Sequence, residues 1–598
     1  MAAGHRPVSG KNPSAGPSFT KESGVWNVVS TTAVLRNTVT DADGDKSNLT
    51  FEVWTLDADG KPKSQVKLTD ENPYGVLVSD FVASGKTAQV AVEYGRLKPG
   101  VEYAFRTSAF DGSLYETSWS PWAKFRISPY VTFPAPQSSS TIDPVSQEPR
   151  TVIRSEPGTA MAGRDIQANV RQTCSPVGTQ GNKLCIKFRS PTSSEKKVEA
   201  SPRVASDDLV PWCANKDYGY DYMNRTEVCL KDIGAADLIF LSSGKDDPPI
   251  GTASFYFEQR IKAYPTKGES GSDFAEFDQQ LVVTPHHIDS ALQGVNLYWK
   301  LGADCGSCDT SQVKWKSYSG GTDDGHFAPG EEGANAAQTA NSTTKWTNTG
   351  KETIDLSWAV DATVDVGEAM TVSADFGGSG SPESRELAPR CDDVFKGSAP
   401  GCVMQGFDPV YTVDTNLYPA AGAYYWLMQQ KMPGRPGTGD EPLHYLGPDT
   451  TVTNPSGKPW TSKDSRATVC PSTWTAHPAD SSLGTPSCDE FAMASTHESG
   501  GFPGGPNQVT DGDECAQLFA GNAGSDFGIF ADTRTSQDSP SWEKCGRATI
   551  PREQNSGAFH KFPAPEWRML DNDAVYISNP GFEHCLNADT TCAWRKVG

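Results

Sequence analysis

Residues 488–501, Cys-Asp-Glu-Phe-Ala-Met-Ala-Ser-Thr-His-Glu-Ser-Gly-Gly, place Asp489, Glu490, His497 and Glu498 within fourteen positions, between segments rich in glycine and proline. Carboxylates and an imidazole grouped in this way can move protons near neutral pH or hold a hard cation. The same spacing also has a purely structural reading. Ser487 followed three residues later by Glu490 is a capping-box pattern, so a helix is expected to begin at Cys488. On that helix Asp489 shares a face with Met493 and Thr496, and Glu490 with Ala494 and His497. Gly500 and Gly501 would stop it. The segment is therefore read as both a capped helix start and a candidate chemical site.

The elements that must position these groups are mainly β. The 598 residues exceed the size at which one core stops growing, which implies three or four domains. Fifteen Trp among 10% aromatic residues supply ample core material, and 56 Gly with 43 Pro favour short strands joined by turns. A formal net charge of −22 excludes a chain-wide basic field, so any polyanion must be met locally, with a cation supplied. The fourteen cysteines fall in close pairs: 174/185, 213/229, 305/308, 391/402, 470/488, 515/545 and 585/592. Such pairing reads as a disulfide framework made in an oxidising compartment, with zinc at Cys305 and Cys308 as the rival reading. No apolar run reaches the ~18 residues of a membrane span. The first residues lack the apolar core of an export signal, so a natural signal is expected to have been replaced by Met1.

Along the chain, residues 1–22 read as disordered. Residues 23–132 alternate like strands, and Leu97, Pro99 and Tyr103 have the L-x-P-x-x-x-Y spacing of a tyrosine corner, with Trp119 and Trp122 on the closing strand. This module resembles a fibronectin type III sandwich. Asp41, Asp43, Asp45 and Glu52 occupy positions 1, 3, 5 and 12 of a calcium-loop pattern, but Lys46 stands where glycine is required, so the stretch reads first as a solvated turn and a structural Ca²⁺ is the second reading. Residues 133–165 read as a Pro/Ser-rich linker and 166–384 as a β-rich domain of unassigned role, in which adjacent His286 and His287 would face opposite sides of a strand. Residues 385–464 form a cysteine-containing connector with one helix expected over Ala421–Met432. Residues 465–598 are the last domain.

Three blocks in this last domain resemble, in order, the secreted NucA/NucB deoxyribonucleases. In the first, Asp489, Glu490, Phe491, Met493, Ala494, Glu498, Gly500 and Gly501 fill the family's places. Glu553, Gln554, Asn555 and Gly557 match the second, and Arg568, Asp571, Asp573, Val575 and Ile577 the third. The resemblance implies a small α+β domain with a ββα-metal-like site, in which a base activates water and one divalent ion offsets phosphate charge. It assigns Asp489 as general base, with Glu490, Glu498 and Glu553 as further catalytic candidates. Glu553, Gln554 and Asn555 would hold Mg²⁺ or Mn²⁺ directly or through water. His497, Arg547, Arg552, Lys561 and Arg568 are the substrate-side candidates. They would offset the charge of residues 461–598, where 10 Lys and Arg face 18 Asp and Glu for a net −8.

The pattern departs from the family at three points. Ala492 stands in place of its proline, Ser499 separates the acid from its glycines, and Gln554 sits where the family has an acid. About 45 residues also intervene between the first two blocks, with Cys515 and Cys545 expected to close that loop. The expectation is a secreted bacterial, metal-dependent, non-specific endonuclease, monomeric, acting on DNA with RNA as the other candidate substrate. The alternatives are a surface or matrix-binding protein whose nuclease-like domain only binds DNA, and a delivered antibacterial toxin partnered by an immunity or inhibitor protein.

Overall fold

In the computed structural model of the protein, the described residues are 4–151, 171–192, 208–232, 234–242, 248–266, 274–315, 326–327, 337–378, 387–478, 483–535, 540–585 and 591–597. The expected linker at 133–165 therefore lies partly outside them. The chain divides into two units, one of residues 1–146, 410–562 and 570–598, the other of 147–409 and 563–569.

In the first unit, alternating apolar residues build a two-sheet sandwich. Strand β1 (Val34–Thr40) lies in a four-stranded sheet, and β2 (Asn48–Leu56), β3 (Glu102–Phe110) and β4 (Ala123–Ile127) lie in a seven-stranded one. Leu35, Phe51, Val53, Phe105 and Phe125 fill the space between them. The tyrosine corner is present, because Lys98 N–H donates to the Tyr103 hydroxyl at 2.9 Å. Residues 8–9 and 14–16 pair with β1, and Ala15 is wholly buried. The expectation of a disordered N-terminus is thus corrected: these residues complete a sheet edge, which satisfies backbone groups that the composition alone marks as free. The calcium-loop acids do not converge. Asp41 accepts the backbone N–H of Asp43, Asp43 pairs with His5, and Glu52 accepts from Arg106 on β3.

The expected boundary at 132 and 133 falls within a strand. Strand β5 (Val131–Phe133) leaves the sandwich and enters a sheet of the C-terminal segment. That sheet runs β6 (Pro486–Phe491), β9 (Gly546–Pro551), β7 (Ala516–Ala523), β8 (Asp526–Ala531), β5 and finally β10 (Cys592–Ala593). Phe519 of β7 and Phe530 of β8 join the sandwich core. The N-terminal module and the C-terminal domain therefore share apolar packing.

Three helices accompany this sheet: α1 (Pro419–Lys431), α2 (Ser462–Val469) and α3 (Arg552–Ala558). Helix α1 is buried from Pro419 to Gln429 and lies against β9 and α3, so it is apolar on every side, as a helix inside a core must be. It falls within two residues of its expected place.

The second unit is also mainly β. The strand runs expected there appear at 235–241, 251–263, 275–288, 296–304 and 355–365. An eleven-stranded and a four-stranded sheet share one core, in which Phe257, Trp299 and Phe376 meet in tilted and edge-to-face contacts. All seven expected disulfides are formed, including Cys305–Cys308, whose sulfurs are therefore not zinc ligands. His287 pairs with Asp289, while His286 lies against the Tyr256 ring. No helix among the described residues is long and apolar enough to cross a membrane.

Candidate functional site

Asp489 and Glu490 lie on a strand, not on the expected helix. The local Ser-x-x-Glu signal is overridden because residues 486–491 pair along their whole length with β9, Asp489 opposite Ala548 and Glu490 opposite Arg547. Strand pleating then sends the two neighbouring acids to opposite faces.

Asp489 shares its face with Ser487 and Phe491. On that face Tyr425 of α1 donates its hydroxyl to Asp489 Oδ2 at 2.8 Å, and the Tyr425 and Phe491 rings lie 6.1 Å apart. From α3, Asn555 Nδ2 donates to Ser487 Oγ at 3.1 Å and to Cys488 O at 2.9 Å. Two antiparallel strands followed directly by a helix that returns to the first strand thus frame the carboxylate. Asp489 is 5% exposed, and burial pushes its carboxyl up to about 6; the Tyr425 hydrogen bond and the nearby Arg466 charge pull in the other direction.

Glu490 faces the other side at 4% exposure, and its Oε2 has no hydrogen-bond partner among the described residues. Burial raises it to about 8, Arg466 opposes the rise, and the neighbouring Asp489 adds to it. Burial thus lifts both adjacent carboxyls, and Glu490 more strongly than Asp489.

Helix geometry separates the three expected metal residues. Consecutive helical positions diverge by about 100°, so 553–555 cannot chelate one ion together. Glu553 points into solvent, and Asn555 faces β6. Gln554 is buried, and its Oε1 accepts the Ala420 N–H of the first turn of α1 at 2.7 Å. A Gln suits that position because it leaves a neutral acceptor beside a helix N-terminus. Both Asp489 oxygens already accept, Oδ1 from the Glu490 N–H at 2.9 Å and Oδ2 from Tyr425, whereas the Asn555 side-chain oxygen has no protein donor among the described residues and is a hard oxygen that could hold a divalent cation. Gln554 and Glu553 do not fit as its ligands. The acids of β6 and α3 do not form a dense protein cage: among the described residues, the one group of three His, Cys, Asp or Glu close enough to share an ion is His584 with Cys585 and Cys592, and those cysteines are bonded to each other.

The remaining expected residues are placed elsewhere. Glu498 accepts from His444 through both the backbone N–H, at 2.8 Å, and Nδ1, at 2.7 Å. His497 Nε2 lies 2.9 Å from Asp571 Oδ1. Together these pairs clamp the loop after β6. Arg547 is buried and spends its donors on Gln517, Val469 O and Asp513. Arg568 belongs to the second unit, where it is buried and paired with Asp392. Arg552 and Lys561 are exposed.

Two residues outside the expected set complete the site. Tyr425 sits within the apolar run of α1, where no spacing marks it. Arg466 of α2 donates Nη2 to Cys488 O at 2.6 Å, the oxygen that Asn555 also uses. Its helix is announced by Thr461 and Asp464, which form a capping box, and by Cys470, whose disulfide to Cys488 holds the helix end on β6.

No family model matches this chain, and no curated protein matches it. Among solved structures, it aligns with an α-L-rhamnosidase from Dictyoglumus thermophilum at 9% identity and TM-score 0.15, over 62% of this chain and 29% of that one. The Streptomyces avermitilis α-L-rhamnosidase complexed with L-rhamnose aligns at 10% identity and TM-score 0.15, over 62% and 40%. The chicken CNTN1 FN1–FN3 domains align at 11% identity and TM-score 0.12, over 61% and 99%. The aligned part thus spans well under half of either rhamnosidase, and scores this low carry no argument about fold or activity.

Proposed function

We propose that this chain is a secreted, metal-dependent endonuclease of NucA/NucB type that hydrolyses phosphodiester bonds of DNA. The observation that carries the reading is the antiparallel β6–β9 pair running directly into α3, with Asn555 bonded to Ser487 and Cys488 on the strand that carries Asp489. The seven disulfides support export to an oxidising compartment.

Asp489 is the general base. Its carboxylate, tuned to about 6, is ionised at neutral pH yet basic enough to take a proton from water. Tyr425 fixes the carboxylate by occupying Oδ2, and the apolar surroundings of α1 keep bulk water from that side. Asn555 would hold the Mg²⁺ or Mn²⁺ ion, directly or through water. When bound, that ion offsets the negative charge developing on the phosphate. Among the described residues the site has no base-reading element, which fits cleavage with little sequence preference.

The test is plasmid cleavage with Mg²⁺ or Mn²⁺, against EDTA and against Asp489→Ala. Loss of cleavage in both controls supports the reading, whereas equal cleavage by Asp489→Ala rejects Asp489 as base. One observation favours a second reading, a domain that binds DNA without cutting it: Gln554 stands in the family's acidic place and its oxygen is spent on α1. Retained DNA binding with no cleavage in either metal would select that reading.

A further inference from the structure

We propose that Arg466 is a phosphate-binding residue of this site, gripping one backbone phosphate of a polynucleotide through the guanidinium face that points away from β6. This rests on the nucleic-acid reading above and adds to it a substrate contact outside all three sequence blocks.

A guanidinium carries five N–H donors in a fixed fork. Arg466 spends Nη2 on Cys488 O, and its other nitrogens have no partner among the described residues. The side chain is exposed, and among the described residues it forms no ion pair although its charge is felt by both Asp489 and Glu490. An unpaired, solvent-facing fork anchored beside a buried carboxylate has the form of an anion site, because it offers two parallel donors that fit phosphate oxygens.

Of the other arginines of the domain, Arg552 is exposed on α3, whereas Arg547, Arg568 and Arg534 are engaged by carboxylates. Arg547 bonds Gln517, Val469 O and Asp513, and Arg534 forks onto Asp532 while also binding two carbonyls. Both line a cleft of about 370 Å³ with Trp474, and each is already engaged by a carboxylate, Arg547 by Asp513 and Arg534 by Asp532. In a segment of net charge −8, a polyanion needs local cations, and Arg466 is the guanidinium that is anchored on the strand of Asp489 while keeping donors free among the described residues.

Arg466 is also held in place. The capping box fixes the start of α2, and the Cys470–Cys488 disulfide fixes its end to the strand that carries Asp489. In the middle, a Cβ on Gly501 would lie 1.9 Å from Ser465 O, so only glycine allows the loop after β6 to close on this helix. A group so positioned loses little freedom on binding.

The test measures binding of a fluorescein-labelled 12-mer DNA duplex in Mg²⁺ by anisotropy across a salt series, on an Asp489→Asn background that stops cleavage. We expect Arg466→Gln to weaken binding about tenfold and to lower the slope of log Kd against log salt by about 1. Arg466→Lys should fall between, since it keeps the charge without the fork. Arg595→Gln, an exposed charge elsewhere in the same unit, should change binding less than about twofold. Unchanged binding in Arg466→Gln, or an equal loss in Arg595→Gln, overturns the proposal. If the wild type cuts no DNA but the background protein binds it in an Arg466-dependent way, the hydrolytic reading fails and the phosphate assignment stands. If nothing binds, both fall.

Discussion

The Tyr425 hydroxyl donates to Asp489 Oδ2 at 2.8 Å, joining a helix buried on every side to the carboxylate at the edge of a sheet. This bond is one of the forces that keep the buried acid from rising further. Tyr425→Phe should therefore shift the rising limb of kcat/KM with pH upward from about 6, by roughly one unit, since hydrogen bonds to charged groups contribute about 1.5–3 kcal/mol. A pH–rate profile checks this; an unmoved limb would mean that Asp489 is not the titrating base.

Glu490 yields a stability prediction. Its folded pKa, about 8, lies above the ordinary carboxyl value of 4.5, so the folded state binds the proton more tightly than the unfolded state. That contribution is complete below about pH 4.5 and is lost as the pH rises toward 8. Glu490→Gln keeps the shape without the ionisation. Its Tm should equal that of the wild type near pH 4 and exceed it by several degrees at pH 8, a trend that thermal melts at four or five pH values would reveal.

Removing the Cys470–Cys488 bridge should cost about 2–4 kcal/mol and release α2 from β6. We expect the Cys470→Ser, Cys488→Ser double variant to melt lower than the wild type, and reductant to lower the Tm of the wild-type chain. An unchanged melting temperature under reduction would count against the disulfides as a stabilising framework.

Phe530 joins the C-terminal sheet to the N-terminal sandwich core and is wholly buried. Phe530→Ala should destabilise the chain by about 3–5 kcal/mol. By the same physics, a chain of residues 410–598 alone would expose Phe519 and Phe530 and lose β5 from its sheet. It should be insoluble or unfolded by circular dichroism, whereas an independently folding domain would melt cooperatively.

Gln554→Glu restores an acid where the resembled family has one. A carboxylate can still accept the Ala420 N–H, and its charge suits a helix N-terminus, so the Tm should hold or rise slightly. Because this side chain faces α1, cleavage should change less than about threefold, within the ordinary scatter of substitutions outside the reacting groups. A gain above tenfold in activity or metal affinity would return position 554 to the metal set.

Much of the fold can be read locally. Tyr103 and its corner, the strand runs of residues 235–365, the pairing of all fourteen cysteines and the apolar helix around Tyr425 each depend on short-range periodicity or on neighbours in sequence. The acids at 489 and 490 were also visible as candidates, but their conformation was not. A capping box is worth about a kilocalorie, whereas strand β6 gains a full ladder with β9, more than fifty residues away, and that ladder prevails.

By itself, the sequence determined residue chemistry, β content and the disulfide pairs, because those follow from composition and near neighbours. Tertiary structure decided which groups meet. It placed Tyr425 and Arg466 beside Asp489, turned Gln554 inward, removed Arg547 and Arg568 into ion pairs, and wove β5 into the C-terminal sheet. The reason is that register and helix rotation are set by the burial of whole faces across distant segments, and no short window of sequence contains both partners.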